Sequence, residues 1–105
     1  MIGLDTNVLV GYIAQDDPKK SALASKLIDG LTKDNPGFIT IVTVVELVWV
    51  LQSCYKSTKI EIVNVLNALI ASKEMIVENT ETVIRAIRVF SLSKADFSDC
   101  LIEFL

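Results

Sequence analysis

The sequence contains no histidine. This absence excludes Ser-His-Asp and Cys-His catalysis, zinc sites with histidine ligands, and pH switches that depend on an imidazole. Only two cysteines are present, Cys54 and Cys100, and they lie too far apart to form a Cys-x-x-Cys site. We therefore predict that both are reduced and packed in the core of a cytoplasmic protein.

The sequence also lacks a basic surplus and a long apolar run. Its 10 Lys and Arg against 13 Asp and Glu give a net charge of −3. This balance argues against non-specific nucleic-acid binding through a basic surface. It is compatible with an enzyme that binds nucleic acid through metal ions. The longest strongly apolar stretch, 39–51, is interrupted by Glu46 and is too short to cross a bilayer. The start, MIGLD, has no basic region of a signal peptide, so we predict no membrane association.

Hydrophobic residues are abundant, at 51% of the 105 residues, which is enough for one domain over 1–105. Short apolar runs predict strands over 1–4, 38–41 and 75–77, with a turn at 35–37. Apolar residues at helical spacing predict helices over 7–14, 18–31, 43–55, 58–70, 80–92 and 96–105. Because the strands are too apolar for a half-solvated sheet, the alternation predicts an α/β fold with a central parallel sheet.

Acidic residues fall at positions that suggest a shared site. Asp5 follows the first strand, and ligands of parallel α/β sheets bind at that edge. Glu46 is surrounded by bulky apolar residues and needs a partner, a metal or solvent. Asp96 and Asp99 open the last helix on nearly the same face. If these carboxylates converge, they form an oxygen-only site for Mg²⁺ or Mn²⁺, which can activate water for in-line attack on a phosphodiester.

Helix capping is the alternative explanation for each acid. Thr43-x-x-Glu46 has the spacing of a capping box, and so does Thr58-x-x-Glu61, which carries no other hint of chemistry. Spacing alone therefore favours capping for each acid taken singly. The combination of a strand-end Asp, an apolar-flanked Glu and a late Asp pair favours the shared site.

Asp5 and the late pair have capping explanations of their own. Asp5-Thr6-Asn7 can cap the first helix, and Asp96-x-x-Asp99 places an acid at the cap and another in the first turn of the last helix.

Two aromatic residues lie in or next to the most apolar helix. For Trp49 and Tyr55 we favour packing in the core or in a dimer over base stacking, because stacking residues need exposure near a basic groove.

Three blocks of the sequence, LDTNVLVGYIAQDD, TVVELVWVL and KADFSDCLI, occur in this order. They resemble the signature blocks of PIN-domain nucleases, and most of all the VapC-type toxins of bacterial toxin–antitoxin pairs. The resemblance covers 1–105. It implies a three-layer fold, a cytoplasmic Mg²⁺- or Mn²⁺-dependent ribonuclease that acts on RNA with metal-activated water, a homodimer, and inhibition by a cognate antitoxin protein.

The resemblance also implies roles for single residues. The catalytic and metal-binding acids of the family correspond here to Asp5, Glu46 and Asp99. Asp96 corresponds to an additional metal-binding acid, and Thr6 and Asn7 correspond to the polar pair that supports the first Asp.

The sequence departs from the family pattern at its end. PIN domains continue into a further strand, a loop with a fourth acidic or Asn residue, and a final strand. The chain therefore resembles a C-terminally shortened member, for which we expect weaker metal binding and a first strand at an exposed edge of the sheet. The alternative function is a degenerate module that only dimerises or binds an antitoxin. Phosphoryl transfer through an aspartyl intermediate on Asp5 is disfavoured, because no second Asp follows two residues later.

Overall fold

The computed structural model describes residues 1–105 and contains three strands and six helices. The element order is β1 (Ile2–Gly3), α1 (Thr6–Ala14), α2 (Pro18–Asp29), β2 (Gly37–Ile39), α3 (Ile41–Ser53), α4 (Lys59–Ala71), β3 (Met75–Val77), α5 (Thr80–Leu92) and α6 (Phe97–Ile102). The predicted α/β fold is confirmed.

The three strands form one parallel sheet in the order β1-β2-β3. Ile2 lies opposite Gly37, and Ile39 lies opposite Val77. Parallel neighbours need long crossover connections, which α1 and α2 provide between the first two strands and α3 and α4 between the second two. β1 lies at one edge of the sheet, as expected.

A single cluster of 20 buried residues joins the sheet to the helices. Ile39 and Val77 contribute from the sheet, and Phe90 and Phe97 contribute from α5 and α6 with their rings edge to face at 5.7 Å. Around this cluster, α1 packs against α2 and α3, and α6 packs against α5 and α3. The contacts of α1 and α6 with α3 place the helix that follows Asp5 and the helix that follows Asp96 against the same neighbour.

Gly37 is the first residue of β2 and not part of a turn, contrary to the prediction. A Cβ placed on Gly37 would lie 2.6 Å from Cδ1 of Leu4 and 2.9 Å from Cδ1 of Leu31. Both leucines are buried in the core. Glycine is therefore the residue that lets β2 approach its neighbours at this point.

Several predicted element boundaries are wrong, among them the ends of α2 and β2 and both ends of α3. α3 begins at Ile41 and not at Thr43, because the hydroxyl of Thr40 accepts a hydrogen bond from the backbone N–H of Thr43 and ends the strand early. The last helix is limited to Phe97–Ile102, and Glu103 and Phe104 form a turn after it.

Cys54, predicted in the core, and Trp49 and Tyr55, predicted in the core or in a dimer, are exposed in the single chain. Cys100 is buried as predicted, but Cys54 is exposed and the prediction for it was wrong. Trp49 is 63% exposed and Tyr55 is 36% exposed, so neither belongs to the core. The side chain of Trp49 is therefore available to a ligand or a partner.

Candidate functional site

Polar residues follow all three strands at their carboxyl ends. Asp5 follows β1 and caps α1, Thr40 follows β2 and caps α3, and Glu78 comes directly after β3. The edge is held together by backbone hydrogen bonds from Leu4 to Phe38 and from Glu78 to Ile39. Because all three strands run in the same direction, these side chains share the edge where ligands of α/β proteins bind.

Asp5 is an exposed residue in extended conformation at the N-cap of α1. Its Oδ1 accepts a hydrogen bond of 2.9 Å from the backbone N–H of Val8, so the capping explanation holds for this residue. The bond uses one carboxylate oxygen and fixes the group, and Oδ2 has no hydrogen-bond partner in the protein. Capping and ligand binding are thus compatible at Asp5.

Glu46 does not cap α3, contrary to the capping-box alternative. The helix has already begun five residues earlier at Ile41, with Thr40 as its N-cap. The carboxylate of Glu46 instead accepts a hydrogen bond of 3.3 Å at Oε2 from the hydroxyl of Thr6. The second acid of the predicted set is therefore hydrogen-bonded to the residue that follows the first.

The N-terminus of α3 has a second cap that the sequence interpretation missed. Oε1 of Glu78 accepts a hydrogen bond of 2.9 Å from the backbone N–H of Ile41. The signal was present in the sequence, because Glu78 follows its strand just as Asp5 follows β1. Thr40 and Glu78 together accept hydrogen bonds from backbone N–H groups in the first turn of α3, so Glu46 is not needed as a cap.

Asp96 and Asp99 are exposed residues at the start of α6. Asp96 occupies the N-cap position but makes no side-chain capping hydrogen bond, so the capping explanation fails for it. Asp96 lines a groove between α3 and α6 of about 310 Å³, which also contains Trp49. Asp99 lies in the first turn of the same helix.

A larger cavity of about 580 Å³ opens beside Asp5, between α1 and α2. Asn7 lines it, whereas the hydroxyl of Thr6 bonds to Glu46 and not to Asp5. The polar lining residues include Asp16, Asp17 and Lys20. Aspartates outnumber lysines at this cavity, so it favours ligand groups that are basic or that donate hydrogen bonds.

Tyr55 closes one side of this cavity from the end of α3. Its hydroxyl donates a hydrogen bond of 2.9 Å to Oδ2 of Asp16. This bond, with smaller contributions from desolvation and from the charge of Asp16, raises the pKa of Tyr55 above its ordinary value. The contact ties the end of α3 to the connection between α1 and α2.

Glu61, which lies at the same distance in sequence from a threonine as Glu46, behaves differently from Glu46. Oε1 of Glu61 accepts from the backbone N–H of Thr58, and the hydroxyl of Thr58 accepts from the backbone N–H of Glu61, which completes a capping box. The hydrogen bond from the backbone of Thr58, followed by one from its side chain, lowers the pKa of Glu61. The same sequence spacing therefore gives a structural acid at Glu61 and an acid bonded to a distant element at Glu46.

The carboxylates do not form a closed metal cage: no group of three or more His, Cys, Asp or Glu side chains is placed to hold an ion. Asp5 and Glu46 provide oxygen donors on two adjacent elements joined by Thr6. Mg²⁺ is commonly held by one or two carboxylates together with water and substrate phosphates. The donor chemistry of this edge therefore fits a hard cation that shares its coordination with a substrate.

Comparison with protein families matches residues 2–104 to the PIN domain. No match was found among curated proteins or among solved structures. PIN domains are generally nucleases, act on nucleic acids and typically use divalent metal ions. No helix of the chain combines the length and the apolar character needed to cross a membrane. Since the match covers nearly the whole sequence, the chain belongs to the PIN domain family.

Proposed function

We propose that the chain is a divalent-metal-dependent endoribonuclease in which Asp5, Glu46 and Asp99 are the catalytic acids. The observation that supports this most directly is the hydrogen bond from Thr6 to Glu46, which joins the acid on α3 to the end of β1. Capping of α3 by Thr40 and Glu78 leaves Glu46 without a structural role in its own helix. An exposed acid that caps no helix and is oriented by the residue next to Asp5 suits a catalytic site.

Each acid has a stated role in this proposal. Asp5 is oriented by Val8 and offers Oδ2 to the ion, while Glu46 is oriented by Thr6. Asp99 serves as the third acid from α6, and Asp96 as an additional ligand. A bound Mg²⁺ or Mn²⁺ would supply charge neutralisation at the phosphodiester and a more acidic water. Asn7, at the cavity beside Asp5, supports the first acid.

We further propose that the chain is the toxin of a type II toxin–antitoxin pair, that it forms a homodimer in the cytoplasm, and that a cognate antitoxin inhibits it. The cavity beside Asp5 supports the antitoxin part of this proposal, because its aspartates suit a basic segment of a protein partner and its wall from α1 and α2 is largely apolar. The net charge of −3 favours the same kind of partner.

A second candidate is a catalytically weak or inactive PIN-like module that dimerises or binds an antitoxin. It is favoured by the absence of any group of three or more metal-ligating side chains. Both candidate functions agree with membership of the PIN domain family and with a partner at the cavity beside Asp5. They differ in whether the protein cuts RNA.

The test is RNA cleavage by the purified protein, with structured and single-stranded RNA, with and without Mn²⁺. Asp5→Asn should abolish metal-dependent cutting, and Asp34→Asn, which removes an exposed charge from a loop, should not. If wild type and Asp5→Asn release the same products at the same rate, the nuclease proposal is wrong. If wild type does not cut but still binds an antitoxin, the second candidate is correct.

A further inference from the structure

We propose that Trp49 stacks on a nucleobase of the bound RNA and thereby sets the register of the strand at the cleavage site. This inference rests on the proposed ribonuclease function, and it assigns a binding role to a residue outside the acidic set. It would make α3 a helix that carries both an acid and a base-binding side chain.

The position of Trp49 supports this role. It lies on α3 three residues after Glu46, and residues at this spacing are neighbours on one face of a helix. The indole is 63% exposed, although it belongs to the most apolar helix of the chain. Such a large exposed aromatic side chain beside a proposed catalytic acid is placed to meet the nucleotide next to the scissile phosphate.

The groove next to Trp49 has the size and composition for a base. Its volume is about 310 Å³, near the lower end of the roughly 300–1,000 Å³ of sites that hold small ligands. Val45 and Phe97 provide apolar walls, and Gln52 and Ser98 provide groups that donate and accept hydrogen bonds. A flat ring with polar edges matches this mixture of apolar and polar walls.

Electrostatics favours a base over a phosphate at this groove. No Lys or Arg lines it, and Asp96 contributes a carboxylate. Asp96 and Glu46 would repel any phosphate that is not neutralised by a bound cation, whereas a neutral base presents a π-face that stacks on an aromatic ring regardless of sequence. The cation of the proposed catalytic site, and not a basic groove, would hold the RNA backbone.

A second copy of the chain is a poorer occupant of the same surface. Half of the residues that line the groove are polar, and the exposed Glu46 lies on the same face of α3. A partner chain that covered Trp49 closely would desolvate this carboxylate without supplying a cation, which is costly. RNA binding leaves the acid solvated or in contact with an ion.

The experiment uses the fact that Trp49 is the only tryptophan. A single-stranded oligoribonucleotide is titrated into Asp5→Asn protein, and the fluorescence of Trp49 is recorded. We expect quenching that saturates with RNA. In the same background, Trp49→Ala should weaken RNA binding roughly 5- to 150-fold, as measured by RNA anisotropy, and Trp49→Phe should retain most of the affinity. Ile60→Ala, which truncates an exposed apolar residue on α4, is the matched control and should bind as its parent does.

The outcomes separate this inference from the proposed function. If wild type cuts RNA while Trp49→Ala binds and cuts like wild type, stacking is wrong and the nuclease proposal stands. If RNA quenches Trp49 but wild type never cuts, stacking stands and the nuclease proposal fails. Fluorescence that changes with protein concentration and not with RNA would assign the surface to a second copy and overturn the stacking proposal.

Discussion

The hydroxyl of Thr6 and Oε2 of Glu46 are joined by a hydrogen bond of 3.3 Å, although the two residues lie 40 positions apart. Thr6 is the first residue of α1 and directly follows the exposed Asp5. The bond therefore fixes the start of α1 against α3 at the carboxyl edge of the sheet. It also couples the orientation of Asp5 and Glu46, two of the acids to which we assign metal binding.

Loss of this hydrogen bond should impair activity more than stability. Thr6→Val removes the hydroxyl and preserves the shape, and we expect cleavage efficiency to fall roughly 10- to 100-fold, as is typical when a group that orients a metal ligand is removed. The free energy of unfolding should change by less than about 1 kcal/mol, because the bond is exposed to solvent. Thr6→Ser retains a hydroxyl and should recover most of the activity. Equal activity of the valine and serine variants would show that Thr6 has no orienting role.

Asp5 allows its capping role and its proposed catalytic role to be separated. Asparagine caps helices about as well as aspartate, so Asp5→Asn should retain the hydrogen bond from Val8 and the stability of α1. The loss of a carboxylate ligand should nevertheless lower metal-dependent cleavage roughly 100-fold or more. Asp5→Ala should lose the cap as well and cost about 1 kcal/mol of stability. Denaturant melts and RNA cleavage on the same samples check this, and an active Asp5→Asn would contradict it.

The alternation of strands and helices could be predicted because the spacing of apolar residues and the residues that start helices can be recognised from neighbouring positions in the sequence. The acids were harder, because the same spacing serves two purposes: Thr58 and Glu61 form a capping box, whereas Thr43 lies inside α3 and Glu46 bonds to Thr6. Whether a glutamate caps its own helix or bonds to another element depends on the tertiary neighbours at the sheet edge. A pattern of neighbouring residues in the sequence does not determine those tertiary neighbours.

Exposure was the other property that the sequence did not determine. Trp49 lies in an apolar helix, but its position relative to α6 leaves the indole at a groove instead of in the core. Glu78 was missed because its role is to cap a helix from another part of the chain. Both cases depend on tertiary packing.

Gly37 and Gly3 form a matched pair for testing the sheet. Gly37→Ala places a methyl group 2.6 Å from a side-chain carbon of Leu4, which is itself buried. We expect a loss of about 1–3 kcal/mol in the free energy of unfolding, the usual cost of overpacking a core. Gly3→Ala meets nothing within 4 Å and should change stability by less than about 0.5 kcal/mol. Similar melts for the two variants would mean that the core at β2 is not close-packed.

The capping box of α4 predicts a specific contribution to acid sensitivity. The hydrogen bond from the backbone of Thr58, followed by that from its side chain, lowers the pKa of Glu61 below its ordinary value of 4.5. A depressed folded-state pKa stabilises the protein above the unfolded-state value, and this contribution is lost as the pH falls through the folded-state value. Urea melts from neutral pH to below pH 4.5 should therefore show a weaker pH dependence for Glu61→Gln than for wild type. Glu81→Gln, in the first turn of α5 without a capping box, is the control and should retain the wild-type dependence. If Glu61→Gln shows the same dependence of stability on pH as wild type, the capping box does not stabilise the ionised form of Glu61 when the protein is in solution.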